Sequence, residues 1–259
     1  MTRLEVPGSD VVGIRAANPG PFTLSGTNSW IVGRGPAWLV DPGPALDEHL
    51  AALGDEIDMR GGLGAVALTH DHADHAGAVP AMRRRYPGVP VAAARGEADV
   101  ILIDGDTFGP FEVVSVPGHA PDHLVFLRGA VAFTGDAVLG EGSVFIAPDP
   151  GALVGYLEGL ARLEQRRLEV LCPGHGPLVR DPEAKLAEYI SHRLDRERRL
   201  VNALSGGKRS VDELLDEAWS EVPPQLRMAA AVTLAAHLDK LDGEGRLPAD
   251  VERPDPRIG

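Results

Sequence analysis

The run THDHADHAG, from Thr69 to Gly77, places three of the chain's nine histidines within six residues, together with two aspartates. Imidazole and carboxylate are the usual non-sulfur ligands of zinc and related metals in proteins. The four residues with ligand spacing are His70, His72, Asp74 and His75. Because four ligands this close cannot all serve one tetrahedral ion that also keeps a position for water, the spacing predicts two metal ions.

Three later stretches each end an apolar run with glycine followed by histidine or aspartate. They are SVPGH, ending at His119, AFTGD, ending at Asp136, and VLCPGH, ending at His175. Glycine allows the backbone to approach a crowded site because it has no side chain. We therefore expect these three residues to complete one metal centre with the first run.

Other ionisable residues near these stretches have less specific patterns. His123, four residues after His119, either orients a ligand, faces the substrate or is an ordinary strand residue. Asp41 ends the apolar run LVDPG and is predicted to contact a ligand, although a turn residue there would be unremarkable. The residues interpreted as structural are His49, His237 and Cys172.

The ligand-bearing stretches lie at the ends of predicted strands. The predicted strands are VVGIRA, PFTLSG, NSWIVG, AWLVDPG, LGAVALT, VPVAAA, FEVVSVPG, DHLVFLRG, AVAFTGD and LEVLCPGHG. The predicted helices cover 45–58, 74–86, 149–167 and a segment from Pro182 to about residue 204. This order predicts an α/β fold with two half-domains, each made of a sheet and helices.

The stretch SGGK at 205–208 separates a second predicted region. Helices over about 210–219 and 224–241, followed by the Gly-centred turn in DGEGRLPADV, resemble a winged-helix module. We therefore predict a catalytic domain over 1–205 and a winged-helix-like domain over 206–259. Since the second region is acidic, no DNA readout is expected from it.

The ordered ligand series resembles the metallo-β-lactamase superfamily, whose fold is an αββα sandwich. The resemblance implies one metal held by His70, His72 and His119. It implies a second metal held by Asp74, His75 and His175, with Asp136 bridging both.

Particular motifs narrow this resemblance. Zinc β-lactamases usually lack a metal-binding histidine at the position of His75 and carry cysteine where Asp136 stands, and flavodiiron proteins carry glutamate at the position of His72. Glyoxalase II enzymes usually have a Gly-His-Glu-Tyr-like motif in place of PGHGPL. The stretches NPGPFTLSGTNSWIVG, FTGDAVLGEGS, CPGHGPL and YISHR resemble the β-lactamase-like protein two family, whose best-known branch is a mitochondrial endoribonuclease that cuts single-stranded RNA.

Composition limits the class of protein and its partners. Apolar residues make up 44% and charged residues 24% of the 259 positions, which is typical of a soluble globular protein. The single cysteine and the absence of an apolar core at the start predict a cytoplasmic protein without a membrane segment. A net charge of −13 argues against an extended nucleic-acid footprint. The basic stretch 193–209 is either the contact for a long anion or a solvated helix face with internal ion pairs.

The predicted function is hydrolysis by a hydroxide that bridges two divalent ions, zinc in the first place, with manganese or iron as alternatives. Asp74 and Asp136 are the predicted catalytic carboxylates, and His192 in YISHR is predicted to be the acid for the leaving group, unless it is a surface histidine. The bond predicted to be cleaved is a phosphodiester in single-stranded RNA. The alternative is a small thioester, ester or lactone, as in glyoxalase II chemistry. A complete ligand set disfavours a non-catalytic binding protein, and a homodimer is compatible with the sequence.

Overall fold

The computed structural model describes residues 2–255, which cluster into two compact units. The first unit comprises the chain up to Val116 together with 122–143 and 166–183. The second comprises 117–121, 144–165 and the chain from Ala184 onward. All the β-strands in the described part of the chain belong to the first unit.

Two β-sheets form the first unit. The seven-stranded sheet consists, in spatial order, of β1 (Thr2–Glu5), β2 (Val11–Arg15), β3 (Asn28–Val32), β4 (Ala37–Val40), β5 (Leu63–Ala67), β6 (Val91–Ala93) and β7 (Val100–Ile101). The five-stranded sheet consists of β12 (Val170–Pro173), β11 (Val131–Gly135), β10 (Leu124–Arg128), β9 (Phe111–Ser115) and β8 (Thr107–Phe108). Pairing is parallel from β4 to β7 and between β11 and β12, and antiparallel elsewhere.

Alternating side chains of the first sheet divide between two apolar cores. On β3, Trp30 and Val32 belong to a core that also contains Phe126 and Phe133 of the second sheet. Ile31, which lies between them in the sequence, belongs to a core on the other side. Because successive side chains of a strand point to opposite faces, one strand contributes to both cores. The two sheets therefore pack face to face.

Three helices belong to the first unit, namely α1 (Asp47–Met59), α2 (Ala73–Ala76) and α3 (Val79–Arg85). The helix predicted over 74–86 is divided into α2 and α3. The backbone N–H of Ala78 donates to Gly43 O at 2.8 Å instead of continuing the helical ladder, and Pro80 follows in the first turn of α3. PFTLSG was predicted as a strand but forms turns, with one bridge between Gly20 and Leu24.

The second unit is helical. It contains α4 (Ala152–Glu164), α5 (Pro182–Ser205) from residue 184 onward, α6 (Val211–Ala218), a 3-10 turn (Pro224–Leu226) and α7 (Arg227–Gly243). Its core brings together Leu200 and Leu204 of α5, Leu214 of α6 and Leu238 of α7. Because α5 packs with α6 and α7, the compact units divide the chain differently from the boundary predicted after residue 205.

Both C-terminal helices have a capping motif, α6 at its start and α7 at its end. Ser210 and Glu213 form a capping box at the start of α6. At the end of α7, Arg246 N donates to Leu241 O at 2.8 Å and Gly245 N donates to Asp242 O at 2.9 Å, which is a Schellman motif. The stretch DGEGRLPADV, predicted to form the wing, contains no strand in the described structure. Helix α7 extends through its first two residues, and turns follow. None of the described helices has the combined length and apolarity needed to span a bilayer.

Candidate metal centre

The candidate ligands of the first unit lie where strands of both sheets end. The run with His70 to His75 begins three residues after β5, and Asp136 directly follows β11. Gly174 N donates to Gly135 O at 2.8 Å, which holds the end of β12 beside the end of β11. Leu124 N donates to Thr69 O at 2.7 Å and joins the two sheets at this edge. Neighbouring strand ends therefore bring together candidate ligands that are distant in sequence.

Two groups of side chains in the first unit have metal-ligand geometry. The ligand atoms of His70, His75 and Asp136 lie within 4.8 Å of one another, and so do those of Asp74, His75 and His175. Nε2 of His175 lies 3.2 Å from Asp74 Oδ2 and 3.4 Å from Asp136 Oδ1. His75 Nε2 also lies 3.4 Å from Asp136 Oδ1, so this oxygen faces both histidines.

His70 and His72 form a close pair within the same run. Nε2 of His70 lies 3.0 Å from Nδ1 of His72. His119 belongs to the segment 117–121 of the second unit, where it is buried and its ring centroid lies 4.7 Å from that of Phe145. The assignment of His119 as a ligand stays a prediction.

The electrostatics of these residues fit divalent cations. Burial raises the pKa of the Asp136 carboxyl, but the adjacent His75 and His175 outweigh burial and hold this pKa well below its usual range. Burial lowers the pKa of His175, but Asp136 and Asp74 raise it to about 9. These shifts show that the surroundings of the carboxylates favour positive charge, which a divalent ion would supply, since metal binding requires deprotonated ligands.

Asp41 orients one of the candidate ligands. Its Oδ2 lies 2.9 Å from Nδ1 of His75, which leaves Nε2 of that ring facing Asp136. Asp41 also accepts hydrogen bonds from the backbone N–H and the hydroxyl of Thr69, at 2.8 Å and 2.7 Å. Its φ of 52° lies in the left-handed region, where a non-glycine residue stores strain. The structure places Asp41 against the candidate ligand His75, and the role of His75 as a ligand stays a prediction.

Two glycines make room for the crowded side chains. A Cβ on Gly174 would lie 2.5 Å from His75 Cε1 and 2.6 Å from Asp136 Oδ1. A Cβ on Gly135 would lie 2.5 Å from Thr69 Oγ1, and the φ of Gly135 is 46°. The predicted role of glycine beside the ligands is confirmed at these two positions. The close approach also forms a cradle of nitrogen and oxygen atoms suited to metal ions.

Comparisons with known proteins identify the family. The model of the metallo-beta-lactamase superfamily matches residues 22–100, and that of the beta-lactamase associated winged helix domain matches residues 210–250. An atrochrysone carboxyl ACP thioesterase from Aspergillus chevalieri is 32% identical, with 93% of this chain and 84% of that protein covered. This chain belongs to the metallo-β-lactamase superfamily.

Further relatives agree with this assignment. A beta-lactamase-like protein 2 homolog from Caenorhabditis elegans is 28% identical, with 91% of this chain and 85% of that protein covered. The crystal structure of a beta-lactamase domain protein from Burkholderia ambifaria has a TM-score of 0.79 at 21% identity, with 94% of this chain and 88% of that chain covered. The predicted fold class and superfamily are confirmed, and this member of the superfamily is an enzyme of a hydrolase family.

His123 contacts the candidate ligand Asp136 through the backbone. Its Nε2 accepts a hydrogen bond from Asp136 N at 3.0 Å, and its ring stacks on His70 with centroids 4.9 Å apart. The side chain is fully buried. These contacts favour the alternative in which His123 orients a ligand over the one in which it faces the substrate.

Sequence reasoning missed two residues of the site. Thr69 donates its backbone N–H to Asp41, and its hydroxyl lies 3.0 Å from Nδ1 of His70. Asp122 is buried and accepts a hydrogen bond from Asp71 N at 3.1 Å. The signal that could have indicated Asp122 is its position directly before His123, at the start of an apolar strand.

The remaining predicted histidines lie in other surroundings. His192 is half-buried on α5 with its Nε2 3.3 Å from Arg196 Nη2, and burial, together with Arg193 and Arg196, lowers its pKa to about 4. A histidine with this pKa is neutral at pH 7 and a poor proton donor. Its assignment as the catalytic acid stays a prediction that this environment opposes. The residues interpreted as structural, His49, His237 and Cys172, are all fully buried.

The basic stretch 193–209 is largely neutralised within the second unit. Arg193 and Arg196 are buried, and Arg193 donates to the carbonyl of Val144. Arg196 and the other basic residues pair with acids, in the ion pairs Arg196–Glu221, Arg198–Asp195, Arg199–Asp195, Lys208–Glu217 and Arg209–Asp250. This pairing favours the interpretation as a helix face with internal ion pairs over the contact for a long anion.

Proposed function

We propose that this protein is a dinuclear metallohydrolase that cleaves the thioester or ester bond of a small acyl substrate. The observation that supports the metallohydrolase is the convergence of Asp74, His75, Asp136 and His175 at the strand ends of the first unit. His75 Nε2 and His175 Nε2 both face Asp136 Oδ1, and divalent ions would balance the negative charge of Asp74 and Asp136 there. A structural polar cluster would not require so many groups of ligand type.

The ligand roles follow the superfamily pattern. By that pattern His70, His72 and His119 would hold one ion. Asp74, His75 and His175 would hold the other, with Asp136 shared between the two ligand sets. We propose zinc, with manganese or iron as alternatives for the same donors. When bound, such ions would supply a water of lowered pKa, about 7, and would polarise the bond to be cleaved.

The protein's own residues divide the remaining tasks. Asp41 keeps the His75 ring in place, and His123 keeps the backbone of Asp136 in place. The side chain of Asp74 is 29% exposed, whereas that of Asp136 is 8% exposed. We therefore propose that Asp74 is the catalytic carboxylate that the substrate can reach. Asp136 serves to balance the charge of the ions.

Charge supports an acyl substrate over a nucleic acid. The net charge is −13, and the basic stretch 193–209 already pairs with acids. Both features weaken attraction to a polyanion, whose affinity rests on free lysine and arginine side chains. The name of the Aspergillus chevalieri relative, a carboxyl ACP thioesterase, agrees with a thioester bond.

A phosphodiester in single-stranded RNA is the second candidate. It is favoured by the similarity to the beta-lactamase-like protein 2 homolog, which covers most of both chains.

Four further features stay predictions from the sequence. They are a cytoplasmic location, the absence of DNA readout, the absence of membrane binding and a homodimer.

A parallel turnover assay tests the choice of bond. The zinc-loaded protein is assayed with a glutathione thioester, a lactone, bis(p-nitrophenyl) phosphate and fluorescent single-stranded RNA. We expect turnover of the thioester or the lactone, and its loss by at least about a hundredfold in the Asp136→Asn variant. Turnover of RNA alone would replace the acyl substrate by the phosphodiester. Fewer than one ion per chain in protein purified without added metal would refute the metallohydrolase itself.

A further inference from the structure

A buried carboxylate lies beside the ligand run without being one of the ligands. The side chain of Asp122 is 2% exposed, and its Oδ2 accepts the hydrogen bond from Asp71 N at 3.1 Å. Asp71 lies between His70 and His72 in the sequence. Asp122 therefore holds the backbone that links these two histidines, whose ring nitrogens are 3.0 Å apart.

Arg95 joins this arrangement at the protein surface. Its Nη2 lies 3.3 Å from Asp122 Oδ1, and its Nε lies 3.2 Å from Asp71 Oδ2. Arg95 and Asp71 are each about half exposed. Arg95 follows β6, Asp71 follows β5, and Asp122 precedes β10 of the other sheet. The three side chains thus tie together three chain segments at the edge that carries the ligands.

The charge of Arg95 supports the ionised form of Asp122. Burial and then the negative charge of Asp71 raise the pKa of the Asp122 carboxyl, and Arg95 limits this rise without reversing it. An ionised carboxylate accepts a stronger hydrogen bond from a backbone N–H than a neutral acid does. Arg95 therefore acts on the histidine pair through Asp122.

We propose that Asp122 and Arg95 are positioning residues that set the affinity of the His70–His72 pair for its metal ion. This inference rests on the proposed metal centre and adds two residues that bind neither metal nor substrate. Outer residues that orient metal ligands commonly contribute about ten- to a hundredfold to metal affinity. The ion pair between Arg95 and Asp122 would thus control the affinity of the protein for one of its two metal ions.

The matched comparison is between Arg95→Ala and Arg83→Ala. Arg83 is 37% exposed and pairs with Asp99 at 2.8 Å, so its removal breaks a similar surface ion pair away from the ligand run. Metal-free protein is titrated with zinc in competition with a chromophoric chelator. We expect Arg95→Ala to weaken one binding step roughly tenfold or more and to leave the other within about twofold. Arg83→Ala should leave both steps unchanged, and Arg95→Lys should recover part of the lost affinity.

Urea unfolding of the metal-free variants separates positioning from a purely structural role. Stability losses that are similar in the two alanine variants, together with zinc affinity lost only in Arg95→Ala, would support the proposal. Unchanged zinc affinity in Arg95→Ala would overturn it, whatever the change in stability. Asp122→Asn, which keeps the size of the side chain, should weaken the same step. Fewer than one zinc ion bound by the unaltered protein would overturn the metal centre and this proposal together, whereas two ions with no Arg95 effect would overturn this proposal alone.

Discussion

Gly174 lies beside two candidate ligands, and its lack of a side chain leaves the room that they occupy. An added methyl group would lie 2.5 Å from His75 Cε1 and 2.6 Å from Asp136 Oδ1, well inside van der Waals contact. Neither neighbour can move freely, since the His75 ring is fully buried and held by Asp41. At the scale of the residue, the site therefore depends on glycine at position 174, which has no Cβ, as much as on the candidate ligands.

We expect Gly174→Ala to lose zinc and to be less stable by about 1–3 kcal/mol, because overpacking forces the ligands apart. Zinc content by elemental analysis and urea unfolding measure the two effects. Gly243→Ala is the control, since a Cβ there meets no atom within 4 Å and alanine suits the end of α7. Two bound ions and unchanged stability in Gly174→Ala would contradict the geometry described for Gly174.

At the scale of the element, helix α1 fixes the loop that carries Asp41. Nε2 of His49 on α1 lies 3.1 Å from Pro42 O and 3.0 Å from Ser29 Oγ. Its Nδ1 is buried and has no hydrogen-bond partner among residues 2–255. A second proton on this ring would therefore be unpaired. Burial lowers the pKa of His49 to about 4, although the hydrogen bond to Pro42 opposes this shift.

This lowered pKa predicts a loss of stability in acid. Since the unfolded chain binds a proton near pH 6.5 and the folded ring does so only near pH 4, stability falls as the pH drops from about 6.5 to 4. Between pH 7 and pH 5, His49 should account for about 2 kcal/mol of this loss. Urea unfolding of metal-free protein at both pH values should show a smaller loss in His49→Gln than in the unaltered protein. Equal losses in the two proteins would show that His49 titrates normally.

At the scale of the whole molecule, metal ions and stability are linked. Each ion that binds the folded chain and not the unfolded chain stabilises it by about 2.7 kcal/mol at a free concentration of a hundred times Kd. For a chain of this size, a chelator should then lower Tm by about 5–10 °C for each ion removed, and added zinc should restore it. Circular dichroism melting curves measure the shift. Asp136→Asn should respond much less, and a chelator without effect on the unaltered protein would argue against metal bound in the folded state.

The sequence by itself determined the ligand types, their spacing and their place at strand ends. The alternation of Trp30, Ile31 and Val32 between two cores could also be expected, because strand periodicity is local. The glycines before Asp136 and His175 indicated close backbone approach, because glycine has no side chain. These features depend on residues next to one another in the chain.

Only the tertiary structure decided which distant groups meet. Asp41 is 34 positions from His75, and Asp122 is 51 positions from Asp71, so neither contact leaves a local pattern. The helix predicted over 74–86 is broken because Ala78 N finds Gly43 O, which helical periodicity does not reveal. In the same way, the stretch 193–209 is basic as a sequence, but folding buries two of its arginines and pairs the other basic residues with acids. Charge and spacing are properties of the chain, whereas burial and partners are properties of the fold.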